Sequence, residues 1–363
     1  MTAPHAGIHE VMTSVGGALG VPGFTDVLGL PESRRYVVML VDGLGLDLLR
    51  EHADLAPFLS SCLNVENVLA GIPSTTSVSL TSLGTGLLPG QHGMAGYTCR
   101  IPGTSRFLNT LKWDDRIVPE QWQPHPTVLS RLADEGIAVT VVNDDRFELS
   151  GLTRVSQRGV PFVGVRHAWD RLAAVVEAVE RDDRALVYAY ESAVDHTGHG
   201  SGVDSDEWRK ALVEVDRDVA DLRAALPPDV VLLVTADHGM VDVPMEGRFD
   251  LVDHPKLRDD VVLVAGEARF RHVHTRSGAE AKVAARWRSA LGDRVEVRLR
   301  DEAEEWFGPI DPAVRARFGD VVVAALDDFA VFASDAFSVE LLLRGFHGSI
   351  TPRERRIPVL VAG

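Results

Sequence analysis

Four stretches of this chain are apolar almost without a break: 36–41 (YVVMLV), 139–142 (VTVV), 185–190 (ALVYAY) and 230–235 (VVLLVT). A segment with no polar face is stable only where both of its faces are covered. The usual place for it is a parallel sheet with helices packed on either side. Helical patterns fall between the runs. Trp208, Leu212, Val215, Val219 and Leu222 recur at steps of 4, 3, 4 and 3, which lays one stripe along a helix. Segment 126–136 opens on Pro126 and closes on Gly136, the ordinary punctuation of a helix. Strands alternating with helices predict an α/β fold, a mostly parallel sheet flanked by helices.

The texture changes after Met240. An arginine-rich, strand-like piece (VVLVAGEARFRHVHTR) is followed by a helical one (GAEAKVAARWRSALG), then VEVRLRD and a polar stretch to Asp320. With 363 residues the chain holds roughly two domains, or one large domain with an insert. The expected organisation is a core of residues 30–245 and 330–363, with 250–330 inserted in it as a smaller α+β cap. The chain returns through VELLLRGFHG and ends on the short apolar run IPVLVAG.

Charge and composition remove several classes of function. The net charge of −16 would repel duplex nucleic acid from the bulk surface. Two cysteines, Cys62 and Cys99, cannot build a disulfide framework. No stretch approaches the roughly 18 apolar residues of a membrane helix, and residues 1–24 lack a basic start followed by an apolar core. A cytoplasmic address away from membranes is therefore expected. Lys112, Lys210, Lys256 and Lys282 are the only lysines, so lysine-centred chemistry has few candidates.

In an open parallel sheet, ligands gather beyond the carboxyl ends of the strands. Asp42 follows the first run, Asp195 and His199 follow the third, Asp237 and His238 follow the fourth, and His347 lies in the returning segment. Each alone reads as readily as a turn or cap residue; together they place three carboxylates and three imidazoles at one edge. That mixture suits zinc or manganese. Six ligands exceed one tetrahedral site and suit two metals about 3.5–4 Å apart, the arrangement used for in-line phosphoryl displacement. The run Pro73-Ser74-Thr75-Thr76 precedes an apolar-periodic stretch and reads as a helix start. A hydroxyl there either caps the helix or, facing the positive end of the dipole, serves as a nucleophile toward phosphate.

Taken with Gly86-(x)5-His92-Gly93, Asp237-His238-Gly239-Met240 and Phe346-His347-Gly348, these residues resemble the alkaline phosphatase superfamily, and within it the type I phosphodiesterase/nucleotide pyrophosphatase family. The resemblance implies two zinc ions, with manganese as the substitute. One would be held by Asp195, His199 and His347. The other would be held by Asp42, Asp237 and His238, with Thr76 as fourth ligand and nucleophile; Thr75 takes that place if the register shifts by one. It implies hydrolysis of phosphodiester or phosphoanhydride bonds in a small phosphate ester or nucleotide through a phospho-threonine. Where the nucleotide pyrophosphatases usually carry an Asn against the phosphoryl oxygen, this chain has Tyr97. Arg269 and Arg271 of the cap, with His272 and His274, are further candidates for substrate contacts. Neither cysteine sits in the sulfatase motif. A phosphonoacetate hydrolase, a phosphomonoesterase or a silent metal-binding relative are the alternatives. No Lys or Arg occurs from Glu51 through Cys99, which favours singly charged diesters over dianionic monoesters.

Overall fold

The computed structural model describes residues 5–362, the side chain of Ala168 excepted. All four apolar runs are strands of one seven-stranded sheet, in the order Leu63–Asn64, Val359–Ala362, Val230–Thr235, Arg35–Val41, Ala185–Glu191, Ala138–Asp144 and Phe162–Val165. The five strands from Val230–Thr235 outward to Phe162–Val165 are parallel. Val359–Ala362 runs antiparallel to both of its neighbours, so the sheet is mixed. Thr235, the last residue of its neighbour Val230–Thr235, pairs with Val359, its own first residue: the chain returns to the sheet at the edge it left and so runs back antiparallel. Tyr36 through Val41 are buried throughout, as a run without a polar face requires.

Helices cover the sheet. Asp206–Ala225 buries Trp208, Leu212, Val215, Val219 and Leu222, the stripe read from the sequence. Ser205 caps it, its Oγ accepting the Trp208 N–H at 3.2 Å. The helix expected over 126–136 spans Val128–Asp134, with Thr127 as its cap and Pro126 just outside. No helix among the described residues is long and apolar enough to cross a membrane.

The segment after Met240 builds a second, antiparallel sheet, ordered Val261–Glu267, Phe270–Thr275, Val321–Ala325 and Val295–Leu299. A parallel pairing of Arg248–Asp250 with Ala330–Phe332 closes its neck. One face packs on the helix Glu280–Leu291 through Val273, Val283, Trp287, Val297 and Val323. The other face joins the main core through Phe270, Val322 and Ala324, against Phe307 and Phe318. Both faces are thus covered, and Phe270–Thr275 is buried at every position.

That burial corrects the expectation for Arg269 and Arg271. The alternation holds, but neither side chain reaches solvent. Arg269 makes a two-pronged pair with Glu354, Nε and Nη2 each 2.8 Å from a carboxylate oxygen, and Nη1 donates to Phe329 O at 2.6 Å. Arg271 pairs with Glu340 and donates to Val331 O at 2.8 Å. Both guanidiniums are held in buried ion pairs, with Arg271 Nη1 left without a partner. Removing one partner of a buried pair strands the other charge. Arg269→Met is therefore expected to lower the unfolding free energy by about 3–5 kcal/mol. The double variant with Glu354→Met should recover only part of that loss, because the Ser349 N–H and the Thr351 hydroxyl also lose their acceptor. Urea titration of the three proteins checks this, and a single-variant loss under about 1 kcal/mol would contradict it.

Candidate active site

The in-register strands set the site. Arg35–Val41 pairs with Ala185–Glu191 and with Val230–Thr235, so the carboxyl ends of all three lie level. Asp42 leaves the first, and its N–H donates to Glu191 O at 2.8 Å. Gly43 then turns with φ +72°, and a Cβ there would stand 2.9 Å from Asp195 Cβ; only glycine permits this approach. Asp195 and His199 share one face of the helix Ala193–Ser201, four residues apart. Asp237 and His238 follow Val230–Thr235. His347 follows the short strand Gly345–Phe346, which pairs with Val241–Asp242.

All three histidines are oriented alike. Their Nδ1 atoms face backbone carbonyls: Gly345 O at 2.8 Å for His199, Gly239 O at 3.1 Å for His238 and Ser74 O at 3.0 Å for His347. A carbonyl only accepts, so each Nδ1 carries the proton and each Nε2 presents a bare lone pair. These lone pairs converge. His347 Nε2 is 3.2 Å from His199 Nε2, and Asp195 Oδ1 lies 3.5 Å from His199 Nε2 and 3.8 Å from His347 Nε2. His238 Nε2 lies 3.5 Å from Asp42 Oδ1 and 3.4 Å from Asp237 Oδ2.

The carboxylates are arranged in the same way. Asp237 Oδ1 accepts the N–H groups of Gly43 and His238, at 3.1 and 3.0 Å. Asp42 Oδ2 accepts the Tyr190 hydroxyl. The remaining oxygens, Asp42 Oδ1, Asp237 Oδ2 and Asp195 Oδ1, are buried with no hydrogen-bond partner. Burial, then the charges of Asp237 and Asp195, push the Asp42 carboxyl well above its ordinary range. Burial raises Asp237 as well, although His238 opposes it. Burial, then His238 and His199, drive the His347 imidazole well down.

So many acceptors gathered around so few donors repel one another unless a cation stands among them. The donor set of imidazole nitrogens and carboxylate oxygens fits divalent zinc or manganese. Two groups have ligand atoms all within 4.8 Å of one another: Asp42, Asp237 and His238, and Asp195, His238 and His347. His199 closes on the second group through the two short distances above, so His238 stands within reach of both.

Thr76 heads the ten-residue helix Thr76–Thr85, and its Oγ1 lies 3.1 Å from His238 Nε2. Thr75 takes the capping position without making a side-chain cap, and it is buried while Thr76 is partly open. Ser74 ties this loop to the one carrying His347: its Oγ donates to Ser349 O at 2.6 Å and its N–H to Gly348 O at 3.1 Å. A cavity of about 770 Å³ opens over Thr76, Asp42, Asp195, His199 and His347. Tyr97 lines it half-buried, whereas Arg269 and Arg271 do not line it.

Among the cavity residues that escaped the sequence reading are Tyr190, Asn109 and Glu267. Tyr190 was visible only as the last apolar position of a strand. Asn109 ends the short strand Phe107–Asn109, its Oδ1 accepting the N–H groups of Leu111 and Lys112 at 3.0 and 2.9 Å. Nothing local marked Glu267.

Comparison with known proteins follows the same lines. Over 219 residues the chain is 26% identical to GPI ethanolamine phosphate transferase 3 of Schizosaccharomyces pombe, covering 57% of this chain and 22% of that one. It is 25% identical over 217 residues to an uncharacterized pyrophosphatase/phosphodiesterase of the same organism, covering 56% and 44%. The chain thus spans less than half the length of either relative. A phosphopentomutase of Chromohalobacter salexigens is 36% identical over 120 residues, 32% of this chain and 27% of that one. Among solved structures, murine ectonucleotide pyrophosphatase/phosphodiesterase 5 superposes with a TM-score of 0.73 at 19% identity, covering 91% and 88% of the two chains. An inactive threonine-to-alanine form of that protein, in complex with AMP, gives 0.71 at 18% identity. At such identities the likeness is one of fold. The sequence pattern of the type I phosphodiesterase / nucleotide pyrophosphatase family matches residues 36–350, from the first strand of the sheet to just past His347, and the chain belongs to that family.

Proposed function

We propose that this protein hydrolyses phosphodiester or phosphoanhydride bonds through a covalent phospho-threonine at Thr76. The observation that carries the reading is the convergence of three imidazole lone pairs and three unpartnered carboxylate oxygens beside the Thr76 hydroxyl. Asp42, Asp237 and His238, with Thr76, would hold one zinc ion; Asp195, His199 and His347 would hold the second. When bound, such cations lower the pKa of a hydroxyl and stabilise charge on a leaving oxygen.

The rest falls to the chain's own residues. Thr76 Oγ attacks phosphorus in line, its bond to phosphorus forms as the bond to the leaving oxygen breaks, and the hydroxyl proton departs to solvent with the leaving group. Water then cleaves the threonyl phosphate and releases a monophosphate. The N-terminus of the helix Thr76–Thr85 directs its positive end at the phosphoryl group. The backbone carbonyls of Gly345, Gly239 and Ser74 fix the histidine tautomers throughout. The AMP complex of the murine neighbour makes a nucleotide the first ligand to try.

Among the described residues, the Lys and Arg lining the cavity are Lys112 and Arg146, both exposed, and Arg146 is paired with Asp144. This supports diesters over monoesters, since a dianionic phosphoryl group asks for a further cation at its third oxygen.

Two measurements test the reading. Elemental analysis of the zinc-reconstituted protein should give about two ions per chain, and His347→Ala about one. A wild-type protein that binds no divalent ion would sink the assignment. Thr76→Ala should retain zinc and lose turnover of a nitrophenyl diester by about 10³-fold or more, while Thr75→Ala is milder. A dead Thr75→Ala beside an active Thr76→Ala would move the nucleophile one residue back.

A further inference from the structure

Glu267 ends the strand Val261–Glu267 of the inserted sheet, yet its side chain lines the cavity beside Thr75, Thr76 and His347. Its Oε2 accepts the Tyr97 N–H at 3.2 Å, and its Oε1 is buried without a partner. Two core loops press on it. A Cβ on Gly348, next to His347, would stand 2.8 Å from Glu267 Cγ, and one on Gly96 would stand 3.3 Å from Oε1. The carboxyl is therefore wedged in place on the wall of the cavity. Arg271 attracts it, but the ion pair of Arg271 is with Glu340 and its Nη1 has no partner, so Glu267 stands without an ion pair of its own.

We propose that Glu267 is a specificity-determining residue: a carboxyl contributed by the insert that turns away phosphoryl groups carrying two negative charges and admits those carrying one. This rests on the phosphohydrolase reading above. The argument is one of charge at close range. An uncompensated, partly desolvated carboxylate raises the local negative potential, and the cost to a dianion is twice that to a monoanion. The same potential leaves a neutral leaving group indifferent. Selection therefore acts on the phosphoryl charge and not on the ester arm.

Burial pushes the Glu267 carboxyl up to about 8; the Thr75 side chain, the Tyr97 N–H and Arg271 pull the other way, and Glu340 adds to the rise. A carboxyl with a raised pKa is neutral below that value and charged above it, so discrimination strengthens as pH rises through it. Cations at the neighbouring cluster lower the value and move the onset down without changing the sign. A nitrophenyl monoester is already mostly dianionic above about pH 7, because its second pKa is about 6. In the ratio of kcat/KM for monoester over diester, titrations of the free enzyme common to both substrates cancel. What remains reports the group that sees the difference in charge.

The experiment measures that ratio from about pH 7 to about pH 9.5 on zinc-loaded wild type, Glu267→Gln and Glu267→Ala. At the alkaline end the Glu267→Gln ratio should stand roughly tenfold above the wild-type ratio, and any fall of the wild-type ratio with rising pH should be absent from Glu267→Gln. Glu267→Gln keeps the shape and can still accept the Tyr97 N–H, so its zinc content should match wild type. Calorimetry with inorganic phosphate on the same proteins gives a readout free of turnover, with phosphate binding about tenfold tighter in Glu267→Gln at the alkaline end. A Glu267→Gln ratio and phosphate affinity within about twofold of wild type at the alkaline end would overturn the proposal. Loss of all ester turnover in wild type would instead overturn the phosphohydrolase reading, and the phosphate measurement would still decide on Glu267.

Discussion

Buried acceptors without donors are the constraint that organises this molecule. Three imidazole Nε2 atoms and three carboxylate oxygens stand within a few ångströms of one another, paired with no arginine or lysine. Such an assembly costs free energy in the isolated chain, and the rest of the structure is what holds it together. Level strand ends supply Asp42 and Asp237, a single helical turn supplies Asp195 and His199, and carbonyl groups lock every ring in the same sense. A bound divalent cation turns the same repulsion into coordination.

The holding structure is continuous. Glu354 accepts Arg269 from the inserted sheet on one side and the Ser349 N–H at 3.0 Å on the other, while its own carbonyl accepts the Gly239 N–H at 2.8 Å. Ser74 links the Ser349 segment to the helix that starts at Thr76. One short helix, Pro352–Arg355, therefore touches the loops behind His238 and His347, and through them the loop ahead of Thr76. The inserted sheet is bound into this frame by a buried ion pair, which makes it part of the site's wall.

Much of this was legible in the sequence because it rests on patterns that survive in one dimension. Runs with no polar face predict buried strands wherever they occur, and the stripe from Trp208 to Leu222 predicts its helix by spacing alone. Asp and His residues just past such runs are therefore placed together before any coordinates are known. The exceptions are equally instructive. Arg269 and Arg271 looked like solvent-facing or substrate-facing cations because nothing local reveals that Glu354 and Glu340, some 70 to 85 residues away, arrive beneath them. Glu267, Asn109 and Tyr190 reach the cavity through tertiary packing that no periodicity encodes. The final strand pairs antiparallel because the chain re-enters the sheet at the edge where Val230–Thr235 left it, a property of the path and not of its apolar composition.

The position of the insert also has a consequence for how the chain reaches its native state. His238 and His347 belong to one cluster but are separated by about a hundred residues of intervening chain, and closing a loop of that length carries an entropic cost. The antiparallel sheet, its helix and the pairing of Arg248–Asp250 with Ala330–Phe332 bring the two ends of that loop close together on their own account. Once this unit is folded, the effective loop between the two histidines shrinks to about ten residues on one side of the neck and about fifteen on the other. The insert thus acts as a topological shortcut. It lowers the effective contact order of the late-arriving ligand and lets the last strand dock as a local event rather than by a long diffusive search.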